Sequence, residues 1–340
     1  MRVCAAGARR YFERMSFPKI ELHVHLEGAI PPATLLEIAR RNDLPLPVDT
    51  VEGVQGLYEF TDFKKFVEVW ILTTNCLRTA ADFRQIVVDY AGVAASHGAV
   101  YLEAIFSPGE RAQRGVAWED LYEGYTDGIV EARERHGLTV RLTPDLYRGM
   151  PADLAEEVAR WSVRYADRGI VGLGLGGNEQ AGPALTYAKA FEIAHDGGLA
   201  VVPHAGESAG AESVREILTF APHRLRHGIR AVEDAGVLAE IVDRGLVLDV
   251  CPTSNVRTRS VPTLAEHPLP ALLAAGVPCT VNTDDPAMFN TDLAQEHRVA
   301  ADLGLGAREA YLAGVAGAAC DETTRALLAS KISDIGRMSD

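Results

Sequence analysis

Eight apolar, strand-like runs separated by amphipathic stretches set the narrowest limit on what this chain can fold into. The runs are Ile20–Leu26, Val100–Phe106, Thr139–Leu146, Ile170–Gly177, Ala200–His204, Leu225–Ile229, Leu246–Cys251 and Pro278–Asp284. Between them lie segments of helical period such as Ala152–Arg168 and Tyr187–Asp196. That alternation predicts an α/β protein with a parallel sheet covered by helices, and eight units make a (β/α)8 TIM barrel. A doubly wound open sheet is the rival. Polar residues gather at the C-terminal ends of many runs, the face on which a barrel builds its sites, and this favours the closed form. The 340 residues, 47% of them hydrophobic, suffice for one such domain. The expected division is an N-terminal extension over 1–17 and a single barrel domain over 18–340.

The longest gap lies between the first and second runs and holds extra helical segments. In Phe60–Thr73, the residues Phe60, Phe63, Phe66, Val67 and Trp70 recur at helical spacing. Such a stripe either packs on the barrel or forms a lid over its mouth, with Phe63 and Phe66 facing substrate.

A formal charge of -14 argues against a grip on phosphate backbones, which needs clustered Lys and Arg. A small-molecule partner is expected, with no nucleic acid. No apolar stretch reaches the length of a membrane span. The five cysteines are scattered, with no C-x-x-C pair, as in reduced thiols of a cytoplasmic protein. The Arg-rich segment Met1–Met15 carries too short an apolar stretch for a signal peptide and reads as a frayed extension or an upstream start.

The chemistry is written at the ends of the runs. His23 and His25 are two residues apart in a strand, so both imidazoles project to one side. The fifth run ends in Pro203-His204-Ala205-Gly206-Glu207, the sixth carries Arg226-His227-Gly228, and the eighth ends in Asn282-Thr283-Asp284-Asp285-Pro286. His23, His25, His204 and one aspartate of the final pair make a three-imidazole, one-carboxylate set suited to a single Zn²⁺ with room for water, whose pKa such an ion lowers toward neutrality. Glu207 and His227 could move protons, and the second aspartate could orient a nucleophile. Singly, each residue has an equally good structural explanation as a cap, a turn or a strand end. Together, at strand termini and in barrel order, they point to a site.

The motifs HxHxEG, HAGE, RHG and TDDP, in this order, resemble the adenosine deaminase family of the amidohydrolase superfamily from about Pro18 onward. The resemblance implies a (β/α)8 barrel with one zinc on His23, His25, His204 and Asp284. It implies that Glu207 protonates purine N1, that His227 and Asp285 orient and deprotonate water, with Asp285 also near N7, and that the backbone of Gly177 meets N3. Hydrolytic loss of the 6-amino group as ammonia would leave a 6-oxopurine. A barrel that merely binds nucleoside should lack the proton donor, and Glu207 is present.

Other readings fit less well. Gly172, Gly174 and Gly177 spell G-x-G-x-x-G, but within a strand rather than in a strand-to-helix turn. The P-C-x-x-C of cytidine-type zinc deaminases is missing from the sequence. The fourth run offers no bridging lysine for a binuclear centre. His97, His136, His195, His223, His267 and His297 fall in helices or connections and are expected to be structural, as is Cys251.

Departures from the family pattern bear on substrate. Adenosine-specific members usually carry Asp where Glu27 stands, near the ribose 5′ end, and Gly where Arg226 stands. Adenine-specific members replace the glycine pair seen here as Gly176-Gly177. The chain looks most like the branch acting on 6-aminodeoxyfutalosine, a menaquinone precursor with a benzoate-bearing 5′ extension; adenosine and then adenine are the alternatives. An anionic substrate needs a local cation. Arg148 is the expected carboxylate clamp, with a solvated loop arginine as the alternative. Arg226, beside an inward His227, is expected to face away from the lumen.

Overall fold

The structure, a computed structural model, describes residues 17–60 and 63–336. Apart from Phe17, the extension expected over 1–17 lies outside the described residues. Ten strands occur among the described residues: β1 (Lys19–His25), β2 (Ala99–Ile105), β3 (Thr139–Leu142), β4 (Asp145–Tyr147), β5 (Gly172–Gly176), β6 (Ala200–Val201), β7 (His204–Ala205), β8 (Leu225–His227), β9 (Leu248–Val250) and β10 (Cys279–Val281). They occupy eight barrel positions, one for each apolar run, because two runs are broken in the middle. Pro144 separates β3 from β4 and Pro203 separates β6 from β7, and a proline has no N–H to give the ladder. The backbone continues across both breaks, with Asp145 N–H donating to Phe106 O (2.9 Å) and Arg226 N–H to Pro203 O (2.9 Å).

Every strand pairing is parallel, in the orders β1-β2-β3, β4-β5-β6 and β7-β8-β9-β10. Bridges join Leu142 to Ile170 and, at the seam between first and last strands, Val24 to Asp284. His25 N–H donates to Asp284 O at 2.7 Å, and Asp284 N–H to His23 O at 3.1 Å. The Asn282 side chain adds acceptance from the amides of Leu22 (2.7 Å) and His23 (3.1 Å). The seam is therefore made of the residues predicted to bind metal.

Four helices fill the gap between β1 and β2: Pro32–Arg41, Val51–Leu57, Phe63–Thr74 and Ala80–Ser96. The last begins at a capping box of Thr79 and Asp82. It packs on Trp118–His136 at Gly124 and Gly128, where a Cβ would strike Ala80 O or the Val87 side chain. Opposite the mouth, Arg224 is fully buried and paired with Glu103 (2.7 Å) and Asp249 (2.7 Å). It also donates to the carbonyls of Leu22 and Gly317 and so ties four segments at the barrel floor. Among the described residues no helix is long and apolar enough to cross a membrane.

Candidate functional site

The ends of β1, β7, β8 and β10 bring the predicted side chains to one point. His204 Nε2 lies 3.1 Å from His23 Nε2 and 3.3 Å from His25 Nε2. Asp284 Oδ1 lies 3.3 Å from each of the two β1 imidazoles. A tetrahedral Zn²⁺ with bonds of about 2.0–2.1 Å has edges of about 3.3 Å, and these four separations lie close to that length. A looser grouping of His23, His204, His227 and Asp284 keeps its ligand atoms within 4.8 Å. His227 Nε2 stands 3.6 Å from Asp284 Oδ2, and His25 Nε2 3.3 Å from Asp284 Oδ1, so both rings lie within reach of the centre.

The donor chemistry fits a cation as well. His204 Nδ1 faces Leu175 O at 2.9 Å, so it carries the proton and leaves an Nε2 lone pair directed at the other ligand atoms. Burial holds His23, His25 and His204 below the usual imidazole range and so keeps them neutral. Burial alone would raise Asp284; its contact and hydrogen bond with His23, with His227 and His25 beside it, hold it well below the usual carboxylate range. Ser254 Oγ donates to its Oδ2 at 2.6 Å. Neutral nitrogens around an anionic oxygen suit a divalent ion.

Backbone strain supports the arrangement. His227 (φ 59°) and Asp284 (φ 63°) occupy the left-handed region that non-glycine residues rarely adopt. At His227 this breaks strand alternation, so Arg226 and His227 both reach the interior. That corrects the expectation for Arg226. Its buried guanidinium contacts Asp145 Oδ1 on β4 and Thr143 Oγ1 (2.6 Å). Gly174 leaves the room, since a Cβ there would strike both Asp145 and Arg226. Asp145 Oδ2 in turn lies 3.3 Å from His204 Nδ1.

Glu207 is held at the mouth. Its Oε1 accepts from Thr258 Oγ1 (3.2 Å) and Ser260 Oγ (3.4 Å), and its Oε2 lies 3.5 Å from His227 Nε2. Burial pushes the Glu207 carboxyl up, against the His227 ring and with help from Asp284 and Glu179, which favours the protonated form. Asp285 is also raised, first by burial and then by Asp284, Glu207 and Glu27. A side chain at Gly28 would collide with its carboxylate.

The sequence reading missed Glu179. Its carboxylate accepts the backbone N–H groups of Gly206, Glu207 and Ser208, each at 2.8 Å, that of Ala209 at 3.3 Å, and the Ser213 hydroxyl. Although buried, it is held below the ordinary value by the Ser213 and backbone hydrogen bonds. Its signal was an acid just beyond a glycine-rich strand end, Gly176-Gly177-Asn178-Glu179. Cys251, by contrast, packs its thiol 3.5 Å from His23 Nδ1, as a buried neighbour of that ring.

A cleft of about 330 Å³ opens above the centre. His25, His204, Glu207, His227, Asp284, Asp285 and Gly177 line it. Phe66, Val67 and Trp70 of the inserted helix close one side, with Phe66 stacked on Phe289 at 5.4 Å between ring centres. The stripe thus provides a wall of the cleft. The Phe63 side chain lies outside the described residues. Glu27 stands directly behind the lining residue Ser107: its Oε1 accepts from Ser107 N (2.8 Å) and Tyr125 OH (3.2 Å), and its Oε2 has no hydrogen-bond partner among the described residues. Arg148 does line the cleft and is buried at 6% exposure, which removes the solvated-loop alternative. Its Nη1 donates to Gly182 O (3.0 Å) and lies 4.0 Å from Glu216, Nη2 reaches Ser213 Oγ at 3.4 Å, and Nε has no hydrogen-bond partner among the described residues.

Comparison with known proteins agrees with this geometry. Residues 18–335 match the family model described as adenosine deaminase. An aminodeoxyfutalosine deaminase of Acidothermus cellulolyticus is 54% identical over 92% of this chain and 90% of its own length. An adenine deaminase of Streptomyces coelicolor is 37% identical over 83% of each chain. Among solved structures, an adenine deaminase from Arthrobacter aurescens superposes with a TM-score of 0.87 at 31% identity, covering 94% of this chain and 99% of its own. An amidohydrolase from Burkholderia ambifaria with bound zinc shares the fold, with a TM-score of 0.88 at 24% identity and coverage of 98% and 94%.

Proposed function

The chain belongs to the adenosine deaminase family, and from that premise we propose that it hydrolyses the 6-amino group of 6-aminodeoxyfutalosine, using one Zn²⁺ held by His23, His25, His204 and Asp284. The reading rests on one observation, the margin by which the similarity to an aminodeoxyfutalosine deaminase exceeds that to the adenine deaminases. Zinc in this site supplies the Lewis acidity that makes water a nucleophile near neutral pH.

The protein's own groups do the rest. Glu207, kept protonated by burial, gives a proton to purine N1 and makes C6 electrophilic. His227 and Asp285 orient the attacking water over C6. Water adds there, the proton it loses to Asp285 passes to the amino group, the C6–N bond breaks, and ammonia leaves with the 6-oxopurine as product. Gly177 lets the ring edge approach the backbone, and Phe66 and Trp70 exclude solvent from the aromatic face. At the far end Arg148, with its free Nε, receives the carboxylate of the 5′ extension.

The deciding experiment compares kcat/KM for 6-aminodeoxyfutalosine, adenosine, adenine and 5′-methylthioadenosine on one zinc-loaded preparation of measured metal content. Preference for the benzoate-bearing substrate is expected. A clear preference for adenosine would overturn the substrate and leave the deaminase class standing.

A further inference from the structure

A chain of hydrogen bonds runs from a backbone amide to the ring of His227, and each link fixes the next. The Leu269 N–H donates to His267 Nδ1 at 3.1 Å. A backbone N–H can only donate, so Nδ1 is the unprotonated nitrogen of that ring. His267 therefore carries its proton on Nε2 and gives it to Asn255 Oδ1 at 3.1 Å. With its oxygen so engaged, the Asn255 amide turns its NH₂ toward His227 Nδ1 at 3.2 Å. The reverse amide orientation would set NH₂ against the His267 N–H. Burial, reinforced by the nearby His227, lowers His267 to about 4 and keeps this ring neutral. Asn255 and His267 are themselves buried, at 0% and 3% exposure, so water does not compete for these links.

We propose that Asn255 and His267 are positioning residues that lock His227 in the tautomer with its proton on Nε2, so that the ring meets the reacting centre as a hydrogen-bond donor. The free face of His227 is Nε2, 3.5 Å from Glu207 Oε2 and 3.6 Å from Asp284 Oδ2, both oxygens of carboxylates. An N–H there suits the Asp284 oxygen, whereas a lone pair would oppose it. The consequence is a division of labour. His227 steers and steadies oxygen by donation, and Asp285 remains as the group placed to take a proton from water. The role of His227 as an orienting group thus follows from a residue twelve positions beyond Asn255 that never touches the cleft.

The inference rests on the deaminase reading for its kinetic consequence alone; the tautomer can be measured without turnover. The test uses zinc-loaded protein labelled with ¹⁵N in its histidines, with the His227 signals assigned by their loss in His227→Gln. The expected spectrum shows His227 Nε2 as a protonated, pyrrole-type nitrogen and Nδ1 as an unprotonated one. A protonated Nδ1 in the wild-type protein overturns the proposal, whatever the variants do.

Two substitutions separate a tautomer lock from packing. Asn255→Asp is isosteric, but its carboxylate can only accept, and it draws the His227 proton to Nδ1. Asn255→Ala leaves a gap and no directing group. A tautomer lock makes Asp the more damaging change, with kcat lower by about 10²-fold or more and KM little altered, and Ala the milder at about 10-fold. In the Asp variant the two ¹⁵N signals of His227 should exchange character while zinc content stays the same. Ala worse than Asp in kcat, with His227 unaltered in the Asp spectrum, would show that Asn255 merely fills space.

Discussion

Glu179 Oε1 accepts the main-chain N–H of Glu207 at 2.8 Å, so one carboxylate fixes the position of the other. With the amides of Gly206, Ser208 and Ala209 on the same group, the whole turn after β7 is hung on Glu179. A buried anion shared by several amides converts chain geometry into catalytic geometry.

Replacing Glu179 with Gln sets an NH₂ against donors that have no other acceptor. Stability should fall by about 2–3 kcal/mol, the cost of buried donors left unpaired. Because the wild-type carboxyl titrates below its ordinary value of 4.5, the anion's contribution is complete above that pH and lost as the pH falls through its depressed value. Thermal melts of both proteins from about pH 7 to about pH 3 should therefore converge toward the acid end. A gap in melting temperature that stays constant or widens toward acid would reject the role. Turnover should drop by about 10²-fold with KM less affected, as for a group displaced near the chemistry.

Glu207→Gln should keep the fold and one equivalent of zinc while losing about 10²–10⁴-fold in kcat, the range for removal of a general acid. Metal analysis beside steady-state kinetics checks this. A Gln variant that retains activity would move the proton donor elsewhere.

Arg148→Ala should weaken 6-aminodeoxyfutalosine by about 1–3 kcal/mol in kcat/KM, the size of a hydrogen bond to a charged group, and spare adenosine. Equal losses on both substrates would reject the clamp and leave Arg148 as a brace for the Gly182 and Ser213 segments.

Arg224→Met should cost about 3–5 kcal/mol in urea unfolding, because Glu103 and Asp249 would stay buried without their cation. The folded fraction should keep its kcat/KM, since Arg224 lies at the barrel floor away from the cleft. A variant as stable as wild type would mean that water or rotation satisfies those acids.

The fold was legible because each apolar run is long enough to specify a strand and each interval long enough for a helix. The convergence of His23, His25, His204 and Asp284 was legible because two histidines at spacing two must share a face and the remaining groups end strands. Other features depend on backbone detail that sequence does not carry. The inward turn of Arg226 follows from a strained φ at His227. The partners of Glu27, Ser107 N and Tyr125 OH, are distant in sequence. His267 reads as a structural loop histidine until its two nitrogens are seen between Leu269 and Asn255.

The seam between β1 and β10 has a consequence for biosynthesis. Leu22 and His23 take their side-chain acceptor from Asn282, some 260 positions later. The first strand thus leaves the ribosome with its neighbour unmade, and the β1 histidines proposed to bind metal wait for almost the entire polypeptide before Asp284 arrives. Contacts of such separation form late and slowly. Acquisition of metal by a nascent chain would therefore mark the moment at which the barrel closes, and a ribosome stalled before residue 282 should hold a chain with no finished binding site.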